Sequence, residues 1–506
     1  MKFLNFLFSR ITFLILLLIV YLTGIYLFFD ALEKRFYLIH FFLVIGEIIV
    51  LCRLINDDSS STIKLPWLII IILFPLFGII LYFIFADLSL YKKDQKKIKK
   101  IFRENTISLE ESKIDSIEDK KYYNQARFIQ NYTKLPVSDN TSITYFRTGE
   151  NFFHQYLLDL KKAKKYIFLE YFIVETGIMY SRIIDILRQK IENGVEVYFL
   201  YDDVGSYLRL QKEVKALKSL GVKLVCFNRL SLLKSWLQNN RDHRKITVID
   251  GVIAYTGGLN IGDEYININS RFGYWKDNAI KLVGEGVKNF VCLFVQMYNS
   301  VSKKPIDVRY FLNNEKIRIY RKDGLNISFG TGPKSIYGNN VGLNLYINVI
   351  ETATNYLYIT TPYLIVDYFF IEALCNASKR GVDVKIILPH IPDKKIIFMM
   401  TKSNYEKLIR NGVEIYEYAP GFIHAKTFLC DDKIGIVGTI NLDNRSLIHH
   451  YECATWMYKC RCLVDIKADF LNMIENETFK IKIEKKKLDL IKKLVLSILN
   501  IFSSLL

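Results

Sequence analysis

The run His243-Arg244-Lys245-Ile246-Thr247-Val248-Ile249-Asp250, followed by Thr256-Gly257-Gly258-Leu259-Asn260, decides the fold because the chain contains it twice. It recurs as His424-Ala425-Lys426-Thr427-Phe428-Leu429-Cys430-Asp431, followed by Val437-Gly438-Thr439-Ile440-Asn441, with His, Lys, Asp, Gly and Asn all displaced by 181 residues. A period this long, in only two copies, does not build a solenoid. Each copy is a domain-sized unit, and the pair is expected to pack about an approximate two-fold axis. Such an axis lets both histidines face one cleft.

Upstream of each motif the same order of elements repeats. Tyr166 to Leu169, a helical stretch and the turn Asn193-Gly194-Val195 lead into Glu196 to Tyr201. In the second copy, Tyr356 to Thr360, a helical stretch and Arg380-Gly381-Val382 lead into Asp383 to Leu388. Further turn-strand pairs follow at Leu220-Gly221-Val222 and Asn411-Gly412-Val413. Strand, helix, turn, strand reads as an α/β fold with mostly parallel or mixed sheets flanked by helices. The boundaries expected are 141–310 for the first domain and 311–487 for the second.

Alternate side chains of a strand share a face, so His243 and Lys245 point together, as do His424 and Lys426. Cleaving a phosphodiester takes a nucleophile, cations for the nonbridging oxygens and an acid for the departing alkoxide; two imidazoles and two ammonium groups supply that set. Asn260 and Asn441 add amide donors. Asp250 and Asp431 complete the repeated motif, and nothing in the spacing puts them beside the reacting phosphate, so a role in shaping the site is expected of them. This inventory requires no metal and no cofactor. Of the seven histidines, His40, His154, His390, His449 and His450 read as ordinary residues, although the pair His449-His450 lies close enough to the second motif to line the cleft rim.

The first 90 residues read differently. Ile11 to Phe29 is an uncharged apolar run of 19 residues and Leu65 to Ala86 one of 22, lengths at which a helix crosses a hydrocarbon layer of about 30 Å. Between them Phe36 to Cys52 is interrupted by Glu47, so the expectation is a multi-pass anchor of two or three transmembrane helices. Lys92, Lys93, Lys96, Lys97, Lys99, Lys100 and Arg103 follow at once, a cluster expected to keep the catalytic region on the cytoplasmic side, with a linker to about residue 140. At the other end, Leu488 to Leu505 places Leu488, Ile491, Leu494, Val495, Ile498, Leu499 and Phe502 at helical spacing, an amphipathic helix over 488–506. The formal net charge of +18 suits nucleic acid or an anionic membrane, and the apolar segments favour lipid. Eight scattered cysteines show neither metal spacing nor a disulfide framework and read as buried thiols.

These residues resemble the phospholipase D superfamily and, within it, the bacterial cardiolipin synthases. The motifs that carry the resemblance are Leu65-Pro66-Trp67, Leu169-Glu170-Tyr171-Phe172, Tyr201-Asp202-Asp203-Val204-Gly205-Ser206, the run from His243 to Tyr265, Thr361-Pro362-Tyr363, Pro420-Gly421-Phe422-Ile423-His424 and Asn441-Leu442-Asp443-Asn444-Arg445-Ser446. The resemblance implies two pseudo-symmetric phospholipase D-like domains. It implies that His243 takes a phosphatidyl group, that His424 acts as acid and then base, and that Lys245, Lys426, Asn260 and Asn441 bind phosphoryl oxygens. The implied reaction joins two phosphatidylglycerol molecules into cardiolipin at a lipid bilayer, without nucleic acid as a partner. Hydrolysis, or transfer to another alcohol such as serine, uses the same first half-reaction. Glu170 and Glu452 match acidic positions that the family sets near the histidines. One departure stands out: after Tyr274-Trp275 the family usually continues Arg-Asp-Thr-His, and this chain has Lys276-Asp277-Asn278-Ala279.

Overall fold

The computed structural model describes residues 19, 23–24, 37–57, 61–85, 92–229, 240–312, 323–483 and 490–502. The chain divides into two compact units, one of residues 1–90 with 498–506 and one of residues 91–497.

The first unit corrects the membrane expectation. Leu65–Ala86 does not form one span. A helix Ser61–Leu73 stops at Phe74, and a second helix, Pro75–Phe85, begins there. Pro75 has no N–H to continue the ladder, and Gly78 lets the two segments close on each other, since a Cβ there would meet Ile70 O and Ile71 Cα at 2.7 Å. Trp67, Ile71, Leu81 and Tyr82 then pack with Val50 and Leu54 of the helix Tyr37–Ile55, a small helical cluster. That third helix carries Glu47 and Arg53. Among the described residues no helix is long and apolar enough to cross a membrane. The transmembrane, multi-pass anchor is therefore not what these residues build, and the cytoplasmic placement that rested on it loses its basis. Ile11–Phe29 lies outside the described residues, apart from single positions.

The second unit holds the repeat. In the first half, β1 (Thr141–Phe146), β2 (Tyr166–Tyr171), β3 (Glu196–Asp202), β4 (Lys223–Phe227), β5 (Lys245–Ile249), β6 (Ile253–Gly257), β7 (Tyr274–Lys276) and β8 (Ala279–Gly284) follow in chain order. In the second come β9 (Leu325–Thr331), β10 (Tyr356–Thr360), β11 (Leu364–Ile365), β12 (Asp383–Pro389), β13 (Glu414–Tyr418), β14 (Gly421–Ile423), β15 (Thr427–Cys430), β16 (Ile434–Gly438), β17 (Leu442–Asp443), β18 (Glu452–Tyr458) and β19 (Thr478–Lys480). The first sheet runs β1-β8-β6-β5-β2-β3-β4 and the second β19-β13-β12-β10-β15-β16-β18-β9. Both are mixed: β2-β3-β4 and β10-β12-β13 are parallel, as strands joined through helices must be, and the motif hairpins β5-β6 and β15-β16 pair antiparallel. The helix Val287–Val301 is buried nearly all round, its Asn289, Gln296 and Asn299 included, in a core cluster fed by residues of both sheets. Its Leu293 carbonyl accepts from Arg244 and its Asn289 amide donates to Ser328 O, so it ties the two halves together. Six cysteines are buried free thiols, as their apolar settings suggested.

Candidate active site

Each histidine enters its position on a short strand pairing with the other half. Gly421–Ile423 pairs parallel with Tyr274–Lys276, and His424 N–H donates to Lys276 O at 2.7 Å. On the other side Asp242 bridges Tyr451 in parallel, and His243 N–H donates to Tyr451 O at 2.9 Å. One residue beyond each acceptor stands a carboxylate. Asp277 Oδ2 lies 2.7 Å from His424 Nδ1, and Glu452 Oε1 and Oε2 lie 2.9 and 3.0 Å from His243 Nδ1. The carboxylates thus cross over, first half to second histidine and second half to first. Nδ1–H donating to the acid leaves Nε2 with a lone pair for chemistry.

Asp277 and Glu452 are equivalent by register. Ala279 pairs with Gly257 and Ala454 with Gly438, so each acid sits two residues before the alanine opposite its motif glycine. The surroundings differ in detail. A Cβ at Gly258 would lie 1.9 Å from Asp277 Oδ1, so only glycine makes room for that carboxylate. The matching residue Thr439 instead donates its hydroxyl to Glu452. The sequence reading named Glu452 and missed Asp277; the shared pattern acid-x-Ala, Asp277-Asn278-Ala279 and Glu452-Cys453-Ala454, was the available signal. The departure from the family pattern is also accounted for locally: Lys276 pairs with Asp469 at 2.7 Å, and Asn278 donates to Thr427 Oγ1 at 2.6 Å.

Lys245 and Lys426 are buried beside the imidazoles, each donating Nζ–H back to the carbonyl of the histidine two residues earlier. Burial lowers Lys245 to about 8 and Lys426 to about 7, against the partial support of neighbouring carboxylates. The histidines separate electrostatically. His243 falls well below its ordinary value through burial, then Lys245, His450, Lys426 and His424, all in one direction. His424 falls to about 4 through burial and Lys426, but Asp277 pulls it back up. Burial also works to raise Asp277, yet His424 and Lys426 outweigh it and hold it lowered, an anion under His424. Glu452 is pushed well above its ordinary value by burial despite Lys245. Aromatic rings wall the site: Phe172 lies edge-on to His243 at 5.0 Å, and Trp275 lies 5.2 Å from His424.

The other candidates divide. Asn260 is buried, with its carbonyl accepting from Ile173 N–H and its amide donating to Tyr265 OH, while the Asn441 carbonyl is buried with no hydrogen-bond partner among the described residues. Asp250 and Asp431 stand in the left-handed region at turn positions, φ 53° and 54°. Asp250 accepts from the backbone of Lys164, Lys165 and Tyr166, and Asp431 from that of Thr354, Asn355 and Tyr356. Each fastens the start of the neighbouring strand rather than facing an imidazole. Glu170 pairs in register with Ile246, and Tyr171 with Lys245, which puts Glu170 on the sheet face opposite Lys245. There it lies 3.9 Å from Arg244, with its pKa raised by burial and by Asp242.

The family described as "Cardiolipin synthase, PLD-like domain" matches residues 156–289 and 346–474, the two halves of the repeat, and "Phospholipase_D-nuclease N-terminal" matches 48–86. The chain belongs to the phospholipase D superfamily. It is an enzyme of the phosphatidyl-transfer type found there, related to bacterial cardiolipin synthases. An uncharacterized protein of Streptococcus mutans is 40% identical over 90% of this chain and 100% of its own. The cardiolipin synthase of Oceanobacillus iheyensis is 32% identical (84% of this chain, 88% of that one), and cardiolipin synthase 1 of Staphylococcus aureus 33% (85% and 88%). A crystal structure of phosphatidylserine synthase from Haemophilus influenzae shares the superfamily fold with TM-score 0.55 at 19% identity, covering 75% of this chain and 97% of that one.

Proposed function

We propose that this enzyme condenses two phosphatidylglycerol molecules into cardiolipin and glycerol through a phosphohistidine on His243. The observation that carries the reading is the crossed pair of imidazole and carboxylate around two buried lysines, in a chain related to cardiolipin synthases at about a third identity. His243 Nε2 attacks phosphorus of the first lipid and the bond to the headgroup glycerol oxygen breaks, with His424 giving that oxygen its proton. The hydroxyl of a second phosphatidylglycerol then attacks phosphorus, returns a proton to His424, and the P–N bond breaks. The unequal electrostatics support this division, since the groups acting most on His243 all keep it neutral and Asp277 favours protonated His424. Lys245 and Lys426 are placed to take the nonbridging oxygens, whose charge restores both the ammonium forms and the imidazolium. The anionic phospholipid comes from a bilayer surface. The helix Leu490–Ile501, with Leu494, Val495 and Ile498 exposed, is suited to lie on that surface.

The test is incubation of the full chain with phosphatidylglycerol in detergent micelles and identification of both products. Cardiolipin with equimolar glycerol supports the reading. Phosphatidic acid with glycerol as the sole products would make water the acceptor and overturn it.

A further inference from the structure

A third histidine stands at the nucleophile. His450 follows the helical turn Arg445–His449 and is buried, its ring centroid 5.8 Å from that of His243, with neither Nδ1 nor Nε2 hydrogen-bonded among the described residues. An imidazole buried with both nitrogens unpartnered loses its hydrogen bonds to water for nothing in return. Its Nδ1 lies 3.9 Å from Glu452 Oε1, which itself is 2.9 Å from His243 Nδ1, and one ligand atom from each of the three residues falls within 4.8 Å of the others.

We propose that His243, His450 and Glu452 form an inhibitory site for a borderline-soft divalent cation of the zinc class, separate from the transfer chemistry proposed above. Zinc bonds to nitrogen and carboxylate oxygen at about 2.0–2.2 Å in a tetrahedron, whose ligand atoms stand roughly 3.3 Å apart. His243 Nδ1 and Glu452 Oε1, 2.9 Å apart, would separate slightly to reach that spacing, and His450, whose Nδ1 is 3.9 Å from Oε1, would move in as the third ligand. The donor set selects the ion. Two imidazoles with a single carboxylate favour zinc or copper over magnesium or calcium, which take mostly oxygen ligands. The consequence for the nucleophile follows from its tautomer. A cation on Nδ1 displaces the Nδ1 proton to Nε2, leaving the imidazole neutral and the attacking nitrogen without its lone pair. It also takes Glu452 away from His243.

The test uses the full chain, freed of metal with a chelator and then dialysed, titrated with Co²⁺ and with Zn²⁺ in the absence of lipid. One ion per chain is expected, with the d–d spectrum of a four-coordinate Co²⁺ site. His450→Ala should weaken Zn²⁺ binding by more than the roughly 10–100-fold that loss of a mere supporting partner costs, while His154→Ala binds as wild type. Equal Zn²⁺ affinity in His450→Ala and wild type, or no binding by wild type, overturns the proposal. Should His450→Ala fail to fold, X-ray absorption of the Zn²⁺-loaded wild type decides: two imidazoles and a carboxylate support the site, and sulfur or a single imidazole overturns it. In a separate arm, which rests on the proposed reaction, Zn²⁺ should inhibit phosphatidylglycerol turnover by wild type, reversibly by chelator, and leave His450→Ala uninhibited. Binding without turnover in any condition would count against the reaction and leave the site standing; turnover by wild type that saturating Zn²⁺ does not slow would overturn inhibition.

Discussion

Asp277 of the first half holds His424 of the second at 2.7 Å, so neither half of the repeat carries a complete histidine–carboxylate pair of its own. The two halves must assemble before either imidazole has its tautomer fixed.

Asp277→Asn and Glu452→Gln keep the side-chain size and remove the carboxyl group. An amide can present its N–H to Nδ1 and so select the wrong tautomer. Each is expected to lower kcat by about 10²-fold or more with KM little changed, while far-UV circular dichroism and Tm stay near wild type. Loss confined to KM would mean that the acids bind lipid rather than orient the histidines.

The nucleophile is identified by capture. With phosphatidylglycerol labelled in the phosphatidyl part, His243→Ala should show neither turnover nor a protein adduct, and His424→Ala should lose turnover yet retain a trace adduct. Mass spectrometry placing the adduct on His424 would exchange the two roles.

How much of this was legible beforehand follows from what a repeat can encode. The α/β class, with two like domains of mixed sheet flanked by helices, follows from side-chain alternation and a constant offset, and this the structure bears out. Asp277 was not legible by offset, because the loops between motif and carboxylate differ in length: Asp277 follows Gly258 by 19 residues and Glu452 follows Thr439 by 13. Only strand register makes the two equivalent. Glu170 shows the converse, since a residue adjacent in a motif can be turned to the far face of the sheet by one step of register. The membrane reading failed at Pro75, where hydropathy averages over a break that the backbone cannot. His450 reads from the sequence as an ordinary residue near the second motif, and it is buried beside the histidine of the first.

Transfer itself should need no metal. Excess chelator is expected to leave turnover unchanged or to raise it if zinc is carried through purification. Activity lost to chelator and restored by one divalent ion would contradict this, whereas a modest effect of salt would reflect screening of the lipid surface.

Asp250 and Asp431 are expected to matter to stability. Each carboxylate accepts three backbone N–H groups at a strand start, and truncation to Ala should cost about 1–3 kcal/mol, discounted for partial exposure. Tm should fall by several degrees while the folded enzyme keeps its kcat. Asp431 has its folded pKa lowered: burial opposes this, and the hydrogen bonds from Tyr356, Asn355 and Thr354 prevail. A depressed carboxylate contributes fully above its unfolded value of about 3.9 and loses that contribution as pH falls through the folded value. The Tm gap between wild type and Asp431→Asn should therefore close at strongly acidic pH and persist at neutrality.

The lysines add a fall to the alkaline side of the activity profile, beyond the loss of the His424 proton that begins above about 4 in the free enzyme. In the free enzyme burial lowers Lys426 to about 7 and Lys245 to about 8. As pH rises through that interval each ammonium becomes an amine and no longer attracts a phosphoryl oxygen, so kcat/KM, which reports the free enzyme, should fall. Bound phosphodiester places negative charge against both lysines and raises their pKa values, so the fall in kcat should lie at higher pH than the fall in kcat/KM. On the acid side His243 is held well below its ordinary value and stays neutral, so protonation of the nucleophile should not limit kcat/KM until well below about pH 6. Lys426→Arg, whose guanidinium keeps its charge, should move the alkaline fall upward while lowering the maximum, because the planar fork does not fit the ammonium position. An unchanged alkaline limb in Lys426→Arg and in Lys245→Arg alike would show that some other group governs it and that neither lysine titrates in the working range.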